Sequence, residues 1–348
     1  MPFTHTISGR AKYILYLFPF YLLYMSACDF ELFGSDKITF KECDDSCDDG
    51  IMDCSVDLKK PQDVGELSEC IEINGNIIIE DTFLEEVKDL SNIEYINGNL
   101  IISGNSLLNS SNGFDKLKRI DGRLFIFNNE SLVDLDGFQS LEYIEKSLTI
   151  DSNEILSDIN GLHKLDYVGN CLIVHNNESL SDITGLTNLS QIAYCIYITG
   201  NDSLENIDGL ENITSVEGST IIEGNTSLMN INGLKNINKV GKDLFIGCDP
   251  FNEYQFHCYS KGNDSLHSIT ALNKLSSVGG NLSIQFNKVL DDIDGLMNLE
   301  HVGGTQIKIS NNPQLSICDV EDLLDNIKSN GWTGEESLNG NNEEDNCI

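Results

Sequence analysis

The chain has 348 residues, is 40% hydrophobic with only 5 prolines, and carries a formal net charge of −35 at pH 7. That length suits two average domains or one elongated one with a sizeable core. So negative a charge repels phosphate backbones and anionic headgroups, which argues against nucleic acid as a partner and favours solubility, cation binding or a basic partner.

The first 27 residues read as an export signal. Arg10 and Lys12 form a basic start, and YILYLFPFYLLY (13–24) is apolar but too short to cross a bilayer. Met25-Ser26-Ala27-Cys28 then resembles the lipobox of bacterial lipoproteins, with Met25 where that family usually has leucine. The resemblance implies cleavage before Cys28, a lipid on Cys28 and anchoring to the bacterial cell envelope. A plain secretory cleavage near Ala27 is the alternative. Asp29 is similar to an inner-membrane retention signal of some Gram-negative bacteria, and which membrane is involved stays open. Of 11 cysteines, setting Cys28 aside leaves an even number, which fits a disulfide framework in an oxidising compartment.

Residues 28–57 have the composition of an acidic, cysteine-containing tether. Residues 58–75 are expected to cap the fold, with a short helix from Pro61 to Leu67 that has proline at its first position. Cys54–Cys70 would close this cap and Cys43–Cys47 a small loop before it.

From 76 to 317 the chain repeats. Asn105, Asn129, Asn153, Asn177, Asn201 and Asn225 are each 24 apart; the series then steps 38 to Asn263, 24 to Asn287 and 25 to Asn312. Gly113, Gly137, Gly161, Gly185, Gly209 and Gly233 keep the same step, continued by Ala271 and Gly295. The unit reads x-L-x-I-x-x-N-x-S-L-x-x-I-x-G-L-x-x-L-x-x-V-x-G. Its apolar columns never sustain the 3.6-residue period of an interior helix, so three short extended pieces per turn are expected. One turn cannot bury its own apolar face. The sequence therefore predicts an all-β solenoid, a right-handed parallel β-helix of about ten turns, stacked about 4.8 Å apart with short helical caps at both ends. Glycine suits a corner where a side chain would clash or φ must be positive. Asparagine suits an inward corner whose amides bond along the stack, so these asparagines are expected to be buried, Asn177 in its glycosylation-like Asn-Glu-Ser string included.

Cys171 and Cys195 occupy one position in adjacent turns, within reach of a disulfide; stacked free thiols are the alternative. The 38-residue step holds an insertion, 247–260, in which Cys248 and Cys258 flank DPFNEYQFH. That string is expected to form a disulfide-closed aromatic loop, functional or merely decorative. Over 318–348, DVEDLLDNIKS places Val320, Leu323, Leu324 and Ile327 on one helical face, with Cys318–Cys347 pinning an acidic tail.

Chemistry is hard to find. The six histidines lack metal-ligand spacing, and there is no H-E-x-x-H, phosphate-binding glycine loop or G-x-S-x-G. DSCDDG (45–50) imitates the start of an EF-hand, but its twelfth position is Val56. Asp134, Asp136, Asp158, Asp182, Asp208, Asp292 and Asp294 follow the asparagine column, where stacked carboxylates would collect Ca²⁺ or simply bond local backbone in turns. No metal, cofactor or catalytic residue is assigned. The outward strand position is more telling: Ile78, Ile101, Phe125, Thr149, Ile173, Tyr197, Ile221 and Phe245, turning polar at Ser283 and Lys308. With Phe127 and His175 beside it, this reads as an exposed stripe that binds a partner, is covered by other parts of the chain, or reflects strand propensity alone. The contact residues expected are Phe125, Phe127, Ile173, His175, Tyr197, Ile221 and Phe245, together with the 248–258 loop.

The motif G-N-L-x-I-x-x-N-x-x-L-x-x-I-x-G-L-x-x-L-x-x-V, clearest at Gly280–Val302, resembles the receptor L-domain family, the leucine-rich-repeat-like β-helix of insulin- and EGF-receptor ectodomains and fungal cell-wall proteins. The likeness spans roughly residues 70–330. It implies a binding scaffold and supplies no catalytic residues. The reading is a non-catalytic, lipid-anchored envelope protein that binds a protein or glycan. A self-associating spacer or adhesin is the alternative, with a carbohydrate-active enzyme behind it.

Overall fold

The computed structural model describes residues 50–53, 55–58, 67–248, 262–343 and 347. It is an all-parallel β-solenoid of about ten turns, as the repeat requires. The long strands stack into one twelve-stranded sheet running from Val56–Asp57 to Glu335–Ser337. The two-residue strands form a seven-stranded sheet, from Ile51–Met52 to Gln191–Ile192, and a four-stranded one, from Ser215–Val216 to His301–Val302.

One turn shows why the repeat folds this way. In Leu148–Asp151, Leu148 and Ile150 point inward and pair in register with Leu172 and Val174 of the next turn. Ile159, Leu162, Leu165 and Val168 follow at intervals of three, and all are buried. That spacing departs from the expected third extended piece: Asn160–Leu162 is a 3₁₀ turn, with Leu162 N–H donating to the Ile159 carbonyl. With three residues per turn, every third side chain returns to the same face. The apolar columns of all turns merge into one continuous core from Met52 to Trp332.

The asparagines form the inner corner. All nine are fully buried. Asn177 illustrates the pattern: its Oδ1 accepts from the Asn153 amide at 3.1 Å and its Nδ2 donates to the Ile150 carbonyl at 3.0 Å. The column starts one step earlier than the asparagines, where the Thr82 amide and hydroxyl donate to Asn105 Oδ1, and ends one step later, where Asn341 Oδ1 accepts from the Asn312 amide. It runs straight through the 38-residue step, Asn225 N–H donating to Asn263 Oδ1 at 3.1 Å, so the insertion leaves the stacking intact. Positive φ falls one residue ahead of the column, at Gly104, Asn128, Ser152, Asn176, Gly200 and Gly224. The repeating glycine serves the other purpose. A Cβ on Gly161 would sit 1.8 Å from the Leu135 carbonyl oxygen of the turn beneath.

Both ends differ from expectation. Ile51–Met52 pairs with Glu72–Ile73 and Val56–Asp57 with Ile77–Ile78, so the end of the supposed tether is a partial first turn, ahead of residue 76. The helix expected at Pro61–Leu67 and the cap disulfide to Cys54 lie outside the described residues. At the other end, α1 (Ile317–Ser329) starts at Ser316, whose hydroxyl accepts from the Cys318 amide, and buries Val320, Leu323, Leu324 and Ile327. The chain then re-enters the solenoid. Glu335–Ser337 adds the twelfth strand beside Gln306–Lys308, and Trp332 Nε1 donates to the Gly304 carbonyl at 2.9 Å. The acidic tail is thus partly built into the stack, and Cys318–Cys347, with α-carbons 5.3 Å apart, secures it.

Close turn-on-turn approach makes an asymmetric prediction. Gly161→Ala is expected to destabilise by about 3 kcal/mol or more, because rigid backbone occupies the space of the new methyl. Ala271→Gly in the same column is expected to stay within about 1 kcal/mol. Denaturant unfolding of both variants reads the difference, and equal costs would refute the packing argument.

Candidate binding face

The outer face of the twelve-stranded sheet carries three columns of outward side chains. Its first column, on the corner entering each strand, is polar. Asn99 Oδ1 accepts from the Arg123 amide at 2.9 Å, Ser147 Oγ from the Cys171 amide at 3.4 Å, and Asp243 Oδ1 from the Asn281 amide at 2.7 Å. Cys171–Cys195 sits in this column as a covalent rung, its α-carbons 4.5 Å apart. Cys70 and Cys248 are disulfide-bonded too. Their expected partners Cys54 and Cys258 lie outside the described residues, as do Cys28, Cys43, Cys47 and most of the 248–258 loop.

The second column is the expected stripe, and its exposure needs correction. Ile173 and Tyr197 are only 8% and 3% exposed, while Phe125, Ile221 and Phe245 are half-buried. Side chains one turn apart shield one another, and the disulfide deepens this. Cys171, Cys195, Ile173 and Tyr197 form a small second core outside the sheet, with Tyr194 and Ile221 packed against it. Thr149, flanked by Phe125 and Ile173, is buried as well. Ile78 is buried too, so the apolar surface still on offer is Ile101, Phe125, Phe127, Ile221 and Phe245, the Phe125 and Phe127 rings stacked with centroids 5.7 Å apart.

The third column is mixed: Phe127, Asp151, His175 and Thr199 are neighbours in successive turns. His175 Nδ1 lies 2.6 Å from Thr199 Oγ1 and 3.1 Å from the Thr199 carbonyl. Asp151 is 1% exposed and accepts from Ser152 Oγ at 2.7 Å. Burial pushes its carboxyl pKa above the ordinary value, against the opposing pull of His175 and the Ser152 hydrogen bond.

The aspartate corner resolves into turn chemistry. Asp134, Asp158, Asp182 and Asp292 each accept, through Oδ1, from the amide two residues on, where the 3₁₀ turn begins. Among the described residues no three of His, Cys, Asp and Glu come together as a metal site would require.

A second patterned face escaped the sequence reading. On the seven-stranded sheet, Tyr95, Arg119, Tyr143 and Tyr167 stand in consecutive turns. The Tyr143 and Tyr167 rings stack at 4.5 Å, and the Arg119 guanidinium lies 4.0 Å over Tyr143. Tyr143 donates to Glu145 at 2.5 Å, a bond that helps push its phenol up to about 12. The signal was present, one residue ahead of each Ile/Val column. Here the Tyr143 and Tyr167 rings cover one another.

Residues 69–136 match the family model for the Receptor L domain. A leucine-rich-repeat protein of Leptospira interrogans has a solved structure 16% identical to this chain, with a TM-score of 0.36 over 81% of this chain and 70% of that one. No curated protein matches. The resemblance to receptor L domains thus stands on the family match and on the parallel solenoid itself.

The buried carboxylate predicts a pH effect whose sign is opposite to that of a salt-bridged aspartate. Because folding raises the Asp151 pKa, its contribution is most favourable below the ordinary carboxylate range and is lost as pH rises through the raised value. Asp151→Asn is therefore expected to raise the thermal midpoint at pH 7, with the gain shrinking toward pH 4. A variant less stable at pH 7 would contradict this account.

Proposed function

We propose that the chain is a non-catalytic scaffold of the bacterial cell envelope that binds a protein or glycan across the outer face of its twelve-stranded sheet. The observation that carries this reading is the set of half-exposed side chains Phe125, Phe127, Ile221 and Phe245 bracketing a disulfide-stapled cluster. The inward residues complete the solenoid core without them. Surplus apolar surface on a preorganised sheet is what an interaction site requires, because little conformational entropy is lost on binding. The receptor L-domain match over 69–136 supports a scaffold role.

Anchoring belongs to the same proposal. In this proposal 1–27 is an export signal, Cys28 carries a lipid that anchors the solenoid at a membrane surface, and the acidic stretch beyond Cys28 is its tether; the basic start, apolar run and Met25-Ser26-Ala27-Cys28 support it. Disulfides at Cys171–Cys195 and Cys318–Cys347 suit export to an oxidising compartment. Among the described residues no helix is long and apolar enough to cross a membrane.

Two measurements test the proposal. Replacing Phe125, Phe127 and Phe245 together by Ser is expected to weaken ligand capture from envelope extract tenfold or more, at a stability cost below about 1 kcal/mol per site. Tyr197 is unsuitable for such a test, being buried against the disulfide cluster. Unchanged capture would remove the sheet face from consideration. Separately, mass spectrometry of the mature protein is expected to find an acylated cysteine at position 28; an unmodified or differently placed N-terminus would overturn the anchor.

A further inference from the structure

We infer that the corner after the asparagine column, over its first four turns, is a second docking surface, one that takes a cationic amphipathic segment of a partner protein. Four large apolar side chains stand out of the solenoid there: Phe83 is 81% exposed, Leu107 45%, Val133 43% and Ile155 44%. They lie together. The Asn109 amide donates to the Glu85 carbonyl, which sets Phe83 and Leu107 side by side in adjacent turns. The amide of Val133 donates to Asn109, and that of Ser157 to Val133, continuing the alignment to Ile155.

Folding does not ask for these residues. At the position of Leu107 and Ile155 most other turns hold serine, Ser131, Ser179, Ser203, Ser227 and Ser265, and the last two hold Val289 and Gln314. Ser131 Oγ donates to the Ser106 carbonyl at 2.6 Å and Ser265 Oγ to the Thr226 carbonyl at 2.8 Å, so the serine can tie one turn to the last. Leu107 and Ile155 lack that hydroxyl and project into water instead. A contiguous apolar patch of this kind marks an interaction site.

Charge selects the occupant. The four segments that build the corner, 81–86, 105–112, 129–136 and 153–160, contain eight acidic residues and no lysine or arginine. Glu85, Glu130, Asp134, Glu154 and Asp158 rim the patch, and the nearby Lys88 is paired to Glu86 at 2.6 Å. A second copy would bring the same acids face to face, and an anionic bilayer would be repelled. A helix laid along the stack repeats its apolar side chains every three or four residues, about 4.5–6 Å at 1.5 Å per residue, which matches turns about 4.8 Å apart. Lysines or arginines flanking that apolar stripe would meet the acidic rim.

The test uses the full chain and three labelled 18-residue helical peptides followed by fluorescence anisotropy. One has a leucine face flanked by lysines; one replaces lysine with glutamate; one keeps the lysines and replaces leucine with serine. The first is expected to bind at least tenfold more tightly than the other two, and to weaken between 50 and 500 mM salt. Phe83→Ser/Leu107→Ser/Ile155→Ser, which leaves the net charge untouched, is expected to lose at least tenfold, with Phe83→Ser alone as the mildest check on folding. Wild-type affinity in the triple variant, or equal binding of the lysine–serine peptide, would reduce the effect to bulk charge and overturn the proposal. So would sedimentation showing a wild-type dimer that the triple variant abolishes, since a second copy would then be the occupant. Phe125, Phe127 and Phe245 lie on the twelve-stranded sheet, so their joint replacement is expected to leave peptide binding unchanged, and failure of either surface leaves the other standing.

Discussion

The constraint on which this fold rests is backbone hydrogen bonding at the corner where each long strand ends. There an amide and a carbonyl lose their ladder partners, and an unpaired buried polar group costs on the order of 1–3 kcal/mol. One asparagine side chain serves both. Asn201 Oδ1 accepts from the Asn177 amide while its Nδ2 donates to the Val174 carbonyl. Each asparagine therefore works for the turn before it. The corner keeps this bond even when the turn changes length. The extra residues of the 38-residue step leave the stack between Gly247, where the strand ends, and Asn263, directly ahead of the column. The extra residue before Asn312 and the 29-residue step to Asn341 fall elsewhere in the turn, and the amide hydrogen bond is made in every case.

Fixed stacking then dictates what the surfaces look like. Glycine is required where the 3₁₀ turn rides on the carbonyl beneath, as at Gly137, Gly161 and Gly233. On the outer face the same closeness makes neighbours of side chains that are 24 residues apart. They screen each other from water, and two of them can be joined covalently. Cys171–Cys195 takes over a position that most other turns fill with Asn, Ser or Asp, several of which accept a backbone amide. The staple thus replaces a hydrogen-bonded rung and collects an apolar cluster around itself.

Much of this was legible in the residues alone, and the rest was hidden for physical reasons. The solenoid, the buried asparagines and the inner face of α1 follow from periodicity, because inward burial depends only on which residues share a column. The burial of Tyr197 does not, since it depends on what stands one turn above, one below and beside the disulfide. The 3₁₀ turns hid behind a three-residue apolar spacing that looked like loosely extended chain. Asn341 was missed because a helix intervenes and stretches the step to 29. The partial first turn at Ile51–Asp57 lacks both marker columns, so no alignment to the repeat revealed it.

Net charge alone conceals how that charge is arranged. Lys118, Arg119, Lys235 and Lys239 all lie on or beside the short-strand face, where Lys118 pairs with Glu94 at 2.7 Å and Lys239 with Glu217 at 3.2 Å. Such exposed pairs add little stability, typically 0–1 kcal/mol, but they neutralise the face. At the asparagine corner the described pairs are Lys88–Glu86 and Lys288–Asp264, at opposite ends of the stack. Between them acids recur turn after turn, closer together than the screening length of about 8 Å in physiological salt. Desolvation, the largest cause, and repulsion from Asp134 and Asp158 raise the carboxyl pKa of Asp136. The solenoid tolerates that repulsion because its turns are locked from inside by amide bonds that salt does not screen. A rigid interior thus lets one edge keep a concentrated negative field, and that field sets the sign of any partner drawn to it.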